Sequence, residues 1–329
     1  MRPLLPILVS LAALSVSGCS EHDLNRVDTE DTFYQEKSST ADILWVVDDS
    51  ISMADEQSLV AQGIRSFMGA LGELDADTHL AIITTDMDVG NPERGVMRGE
   101  TPFLREGDDY EAEFRARVQV GTSGSDKERG LQAALHALTA DDLESQWSTF
   151  LRDSSVLALI FVSDENDCSD DNIISDESPG ADCYDHLPEM IPVVDYIQAF
   201  QGLVGETGRV VASSIVGPPA ADGCDDSWYG SRYDTLSQKM DGLTGNICET
   251  DYGSIMEDLG ERLIGPTRVF FLNHSAISDS IQVHVDSSEI DRSDQTGWSY
   301  DSEVPSIRFE GSYVPEYGSV IEVSYDILD

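Results

Sequence analysis

Apolar residues along this chain fall into two textures. In the first two thirds, four short runs are continuous and rich in β-branched residues, at positions 43–47, 80–84, 156–162 and 210–216. Runs of this kind read as strands buried on both faces, as in a parallel sheet covered by helices. Around them apolar residues recur at helical spacing: Val60, Ile64, Phe67, Met68 and Leu71; Leu131, Ala134, Leu135 and Leu138; Val193, Ile197, Phe200 and Val204; Ile255, Leu259 and Leu263. The alternation predicts an α/β domain over residues 41–265, with a doubly wound, mostly parallel, Rossmann-like sheet.

After Gly265-Pro266 the period changes to two. Ile281, Val283 and Val285 alternate with Gln282 and His284, Ile307 and Phe309 flank Arg308, and Ile321, Val323 and Tyr325 alternate with Glu322 and Ser324. These are half-buried antiparallel strands, so residues 266–329 are expected to form a small β-sandwich-like module.

The N-terminus has a different character. Arg2 precedes an apolar stretch, residues 4–16, that is too short to span a bilayer and ends in small residues before Cys19. Residues 1–18 therefore read as a signal peptide, and Val16-Ser17-Gly18-Cys19 resembles a bacterial lipobox, in which the Cys is lipidated and becomes the new N-terminus. Ser20 in the following position points to outer-membrane sorting, and several acyl chains at roughly 0.8 kcal/mol per buried CH₂ give firm anchoring. Residues 19–40 are polar and are expected to be the lipidated Cys and a flexible tether.

Export is consistent with the cysteines. Apart from Cys19 there are four, Cys168, Cys183, Cys224 and Cys248, an even number suited to an oxidising compartment. Four allow three connectivities; pairing Cys168 with Cys183 and Cys224 with Cys248 is favoured because each pair brackets a loop rich in Gly, Asp and Ser. No Cys-x-x-Cys spacing supports a zinc site.

Charge narrows the partners. The chain of 329 residues carries 19 Lys and Arg against 63 Asp and Glu, a formal net charge of −44, so it lacks the basic footprint that nucleic acid requires. Contact with a membrane is expected through the lipid anchor only, because such a surface repels anionic lipids.

In an open α/β sheet, ligands bind at the carboxyl ends of the strands. The first strand runs into Asp48-Asp49-Ser50-Ile51-Ser52, which sets a carboxylate and two hydroxyls on alternate residues. The strand at 156–162 runs into Ser163-Asp164-Glu165-Asn166-Asp167, and Gly121-Thr122-Ser123-Gly124-Ser125-Asp126 precedes the helix expected near Lys127. Three loops on one sheet edge thus offer carboxylate and hydroxyl oxygens, the hard ligands preferred by Mg²⁺, Mn²⁺ or Ca²⁺. Ser125 and Glu128 also match a helix capping box. The further acids Asp49, Glu165, Asp167, Asp170 and Asp171 show no EF-hand spacing and read better as solvated surface than as a second Ca²⁺ site.

The set resembles the von Willebrand factor type A (integrin I-like) domain with its metal-ion-dependent adhesion site. Asp48, Ser50 and Ser52 match its Asp-x-Ser-x-Ser motif; Ser125 stands where the family has Thr, with Thr122 as a rival; Asp164 matches the Asp that closes the fourth strand. The resemblance implies that these residues hold a divalent cation, Mg²⁺ foremost and Mn²⁺ or Ca²⁺ next, directly or through water. One position would remain open for a carboxylate from a protein or acidic ligand. The whole layout looks like envelope lipoproteins of myxobacterium-like bacteria. No Gly-x-Ser-x-Gly elbow, phosphate loop or His-Glu-x-x-His occurs, so the chain is expected to bind rather than catalyse. The alternative is an envelope scaffold in which the metal is dispensable.

Overall fold

The computed structural model describes residues 25–328 apart from 73–75, 172, 176–181, 206–207, 220–223 and 225–226. The expected signal peptide and Cys19 lie outside the described residues. Among those described, no helix is long and apolar enough to cross a membrane.

The chain opens with strand β1 (Arg26–Tyr34), followed by β2 (Thr40–Val47), helix α1 (Ala54–Gly72) and β3 (Asp77–Thr84). Three helices follow, α2 (Tyr110–Arg117), α3 (Gly130–Thr139) and α4 (Glu144–Phe150), and lead into β4 (Val156–Ser163). A single helical turn α5 (Asp182–Asp185) and helix α6 (Val193–Gln201) precede β5 (Arg209–Val216), α7 (Ser231–Lys239), β6 (Thr244–Asn246) and α8 (Gly253–Ile264). The last part is all strand: β7 (Val269–Phe271), β8 (Gln282–Val285), β9 (Ser288–Ile290), β10 (Trp298–Asp301), β11 (Ser306–Phe309) and β12 (Val320–Leu328).

The four continuous apolar runs are four neighbouring strands of a five-stranded parallel sheet in the order β3-β2-β4-β5-β6, with β2, β4 and β5 inside and β3 at one edge. Alternate residues of each strand feed opposite faces. Ile43, Trp45 and Val47 pack with α1 and α8, where Trp45 meets Phe67 and Phe114 edge-on at ring distances of 5.4 and 5.2 Å. Leu44 and Val46 pack on the other face with α3, α6 and α7 through Leu131, Ile197, Phe200 and Leu236. Each of these fully buried aliphatic or aromatic side chains contributes about 1.5–3 kcal/mol, which explains why the strands carry no polar alternation.

The β-rich part consists of two antiparallel sheets, β1-β12-β8-β9 and β10-β11-β7, which enclose a core that includes Phe270, Val283, Trp298, Ile307, Phe309, Val323 and Tyr325. Residues 26–34, expected to be tether, instead pair with β12 along their whole length, Arg26 with Leu328 through Tyr34 with Val320. Phe33 packs on the core, and the buried Asp31 carboxylate accepts from Tyr325 Oη at 2.6 Å and Asn273 Nδ2 at 2.6 Å, which holds the strand in register.

This β module meets the parallel sheet at the amino ends of its strands. Arg209, which begins β5, donates to Thr267 Oγ1 at 2.5 Å, Gln35 Nε2 to the Thr267 carbonyl at 2.8 Å, and Lys239, which ends α7, to Asp301 at 2.5 Å. Among the described residues, this module leaves the opposite edge, where the strands end, clear.

Candidate functional site

At that clear edge β2 ends in Asp48, whose side chain is 0% exposed. The turn that follows is built on this carboxylate. Oδ1 accepts the Ser50 backbone N–H at 2.7 Å, and Oδ2 accepts the Ser163 hydroxyl from the end of β4 at 2.7 Å. The turn brings Ser50 Oγ and Ser52 Oγ to 3.2 Å from each other, with Ser50 buried and Ser52 exposed. Ser50 thus touches both Asp48, through its backbone N–H, and Ser52, through its hydroxyl. Asp164 is the next residue on β4's exit, is buried, and its carbonyl accepts the Trp228 N–H at 2.7 Å.

The loop before α3 is tied to the first turn from two sides. Gln57 Nε2, on α1, donates to the carbonyls of Asp48 at 2.9 Å and Gly121 at 2.7 Å, while the Gly124 N–H donates to the Asp49 carbonyl at 2.8 Å. Gly124 lies so close to the Asp49 carboxyl that a Cβ there would fall inside van der Waals contact with it. Within this loop Thr122 is half-buried, whereas Ser125 is buried and donates its hydroxyl to Asp88 Oδ1 at 2.9 Å. Ser125 also accepts the Lys127 N–H at 3.1 Å.

The expected capping box does not form, and α3 begins at Gly130 rather than near Lys127. Its Gly130 N–H donates to Tyr233 Oη on α7 at 3.2 Å, and the next two are taken by the loop after β4: Leu131 N donates to Asp167 Oδ1 at 2.9 Å and Gln132 N to Ser169 Oγ at 2.9 Å. Asp167 and Asp170, read as solvated surface, are buried. Asp167 caps α3 and pairs with Arg232 at 2.9 Å, and Asp170 pairs with Lys127 Nζ at 3.0 Å.

Because another loop caps the helix, Glu128 turns inward and is 1% exposed. Oε2 accepts the Thr85 hydroxyl from the end of β3. Oε1 accepts no hydrogen bond from a donor group, and the Glu128 carboxyl lies within hydrogen-bond reach of the Asp48 carboxyl. Burial raises the pKa of Glu128 well above the usual carboxylate range, the Asp48 charge adds to this, and Asp48 is itself raised by burial. Burial, followed by the charges of Asp86 and Asp48, pushes Asp49 up to about 7; burial, followed by Asp48 and Asp164, pushes Glu165 up to about 7. Like charges crowded in low dielectric favour either a proton or a counter-cation.

The donor set suits a hard divalent cation: two carboxyls in contact, two converging hydroxyls, and buried carboxyl oxygens, Glu128 Oε1 and Asp49 Oδ1, that accept no hydrogen bond. Among the described residues no three His, Cys, Asp or Glu side chains come together as a metal cage. Large apolar side chains are exposed on the neighbouring segments: Ile51, between the two serines, is 81% exposed, Val89, next to Asp88, is 78% exposed, and Trp228, beside Asp164, is 56% exposed.

The expected cysteine pairs are present, Cys168 with Cys183 and Cys224 with Cys248. The first brackets the loop after β4, and the Cys168 N–H donates to the Glu128 carbonyl at 2.5 Å.

No protein-family model and no curated protein matches the sequence. Among solved structures, the pilus adhesin SpaC from Lactobacillus rhamnosus GG superimposes with a TM-score of 0.41 at 12% identity, covering 92% of this chain and 41% of that one. Its open conformation gives 0.39 at 13%, covering 92% and 40%. The pilus adhesin RrgA from Streptococcus pneumoniae gives 0.36 at 11%, covering 95% and 60%. The chain thus spans about half the length of these adhesins, and similarity of this depth assigns neither family nor function.

Proposed function

We propose that this chain is a lipid-anchored envelope protein of the von Willebrand A type, with a doubly wound α/β domain that binds a partner through a divalent cation. Asp48, Ser50 and Ser52 hold the ion, with a hydroxyl from the loop before α3, Thr122 or Ser125, and with Asp164 acting through water. Mg²⁺ is the first choice, Mn²⁺ or Ca²⁺ the next. The ion's open position takes a carboxylate from a protein or acidic ligand, and the chain acts by binding rather than by turnover. In this reading Cys19 carries the lipid and the protein stays at the outer membrane.

The observation that carries the reading is the turn at Asp48. A buried carboxylate there sets the Ser50 and Ser52 hydroxyls 3.2 Å apart at the carboxyl edge of the sheet. The exposed Ile51, Val89 and Trp228 around it supply apolar contact area for a partner.

Chemical unfolding of the full chain tests it. Mg²⁺ at about 100 times its dissociation constant is expected to raise the unfolding free energy by roughly 2.7 kcal/mol over the EDTA-treated protein. Asp48→Asn is expected to remove most of that difference. An unchanged response in the variant defeats the assignment, and a wild type indifferent to every divalent cation leaves only a scaffold.

A further inference from the structure

The resemblance to the A-type domain pairs Asp48 with Asp164 around the ion. A further carboxyl stands beside Asp48, that of Glu128, from the segment leading into α3.

Three observations give Glu128 a role. It is as inaccessible as a core leucine, at 1% exposure, although an unpaired carboxylate in such a place costs far more than a neutral polar group. Only one of its oxygens is satisfied: Thr85 donates to Oε2, while Oε1 accepts nothing. It is also held rigidly, for the Cys168 N–H donates to its carbonyl at 2.5 Å and the adjacent Arg129 N–H donates to the Thr85 carbonyl at 3.2 Å. Every cation described nearby is committed elsewhere: Lys127 to Asp170, Arg129 to Asp88, Arg232 to Asp167. Its carboxyl neighbour, Asp48, accepts from Ser50 N and Ser163 Oγ and lies within hydrogen-bond reach of Glu128, so without an ion only a shared proton can hold the two carboxyls together.

We infer that Glu128 is a ligand of the divalent cation, paired with Asp48, and that its free Oε1 is the coordinating atom. This rests on the cation-site reading above and changes its composition. The two carboxylates alone balance a divalent charge, which leaves Asp164 as an outer residue acting through water. The arrangement agrees with the absence of a three-acid cage among the described residues.

Mn²⁺, which replaces Mg²⁺ at oxygen sites and is counted by its free-ion electron paramagnetic resonance signal, is the probe. With the full chain, Glu128→Gln is expected to weaken Mn²⁺ binding by about tenfold or more, as lost ligand charge does. The same variant is expected to melt at or above the wild type in EDTA, since a buried like charge has gone. Glu128→Gln binding Mn²⁺ within about twofold of wild type, while Asp48→Asn loses it, overturns the role of Glu128 and leaves the site standing. Asp48→Asn binding Mn²⁺ like wild type overturns the site and Glu128 with it. Crystals of the wild type grown with Mn²⁺ give a readout that needs no variant: the anomalous peak is expected within about 2.6 Å of Glu128 Oε1, and a peak beside Asp164 instead overturns the inference.

Discussion

Asp48 and Glu128 come from opposite ends of a long stretch of chain, yet their carboxyls face each other with 0% and 1% exposure. The contact follows from where their neighbours are tied. Asp48 is fixed by its N–H to the Val162 carbonyl at 2.9 Å, at the centre of the sheet, and Glu128 by Thr85, at the end of the adjoining strand. Parallel strands that end together deliver their exits to one place.

A consequence is that the metal-free protein loses stability as pH rises. Asp48 and Glu128 are raised, and Asp49 and Glu165 stand at about 7, all above the unfolded carboxylate values of about 4. Between about pH 4 and 7 the folded state therefore binds more protons than the unfolded state, so unfolding free energy falls with increasing pH. The stabilisation is complete below the unfolded values and is lost as pH passes through about 7. Urea unfolding in EDTA at pH 5 and pH 8 is expected to give the higher midpoint at pH 5, and a saturating divalent cation to shrink the gap. A midpoint higher at pH 8 in EDTA refutes the account.

Asp167 is expected to be among the most sensitive acids in the chain. It caps α3 through Leu131 N, accepts the Ser169 hydroxyl at 2.6 Å and neutralises the buried Arg232. Asp167→Ala leaves that guanidinium buried without its partner, a loss of about 3–5 kcal/mol. The double variant Asp167→Ala with Arg232→Ala is expected to recover part of it. A single variant that costs less than about 1 kcal/mol in urea unfolding contradicts the assignment.

The sequence announces the inner strands plainly, because continuous runs such as Val156 to Ser163 are buried on both faces and carry no competing signal. It also announces Asp48, Ser50, Ser52 and Asp164, which immediately follow two of those strands. β1 is hidden: RVDTEDTFY is mostly polar and exposed, and its partner β12 lies at the far end of the chain. α2 and α7 are hidden for the related reason that YEAEFRAR and SRYDTLSQK bury few apolar residues. Glu128 is concealed most thoroughly. Three residues after Ser125 it reads as the acid of a helix capping box, yet it and its neighbours Lys127 and Arg129 are buried because separate loops supply their partners. Only the tertiary structure distinguishes that arrangement from a surface patch.

Gly124 offers a way to disturb the site with little effect on the fold. A methyl group there meets the Asp49 carboxyl, so that carboxyl and the loop before α3 are pushed apart beside the Asp48 turn. Gly124→Ala is expected to weaken Mg²⁺ binding by about tenfold while shifting the EDTA melting temperature by no more than about 2–4 °C, the equivalent of ~1 kcal/mol. Unaltered Mg²⁺ affinity in this variant would show that the loop's position does not matter to the ion.

The two disulfides are expected to differ in their effect on the ion although their contributions to stability are similar. In the chain-entropy model, closing loops of 15 and 24 residues contributes about 3 and about 3.5 kcal/mol, so replacing either pair by serine costs comparable amounts in urea unfolding. Cys168 is fully buried and its N–H holds the Glu128 carbonyl, whereas Cys224 and Cys248 touch Ser227, whose neighbour Trp228 donates its N–H to the Asp164 carbonyl and stacks on Tyr184. Losing the Cys168–Cys183 link frees the segment that anchors Glu128. Mg²⁺ stabilisation is accordingly expected to drop in the Cys168→Ser/Cys183→Ser variant and to persist in Cys224→Ser/Cys248→Ser. The opposite ranking, measured as the difference between Mg²⁺ and EDTA unfolding midpoints, would place the ion nearer Asp164 than Glu128.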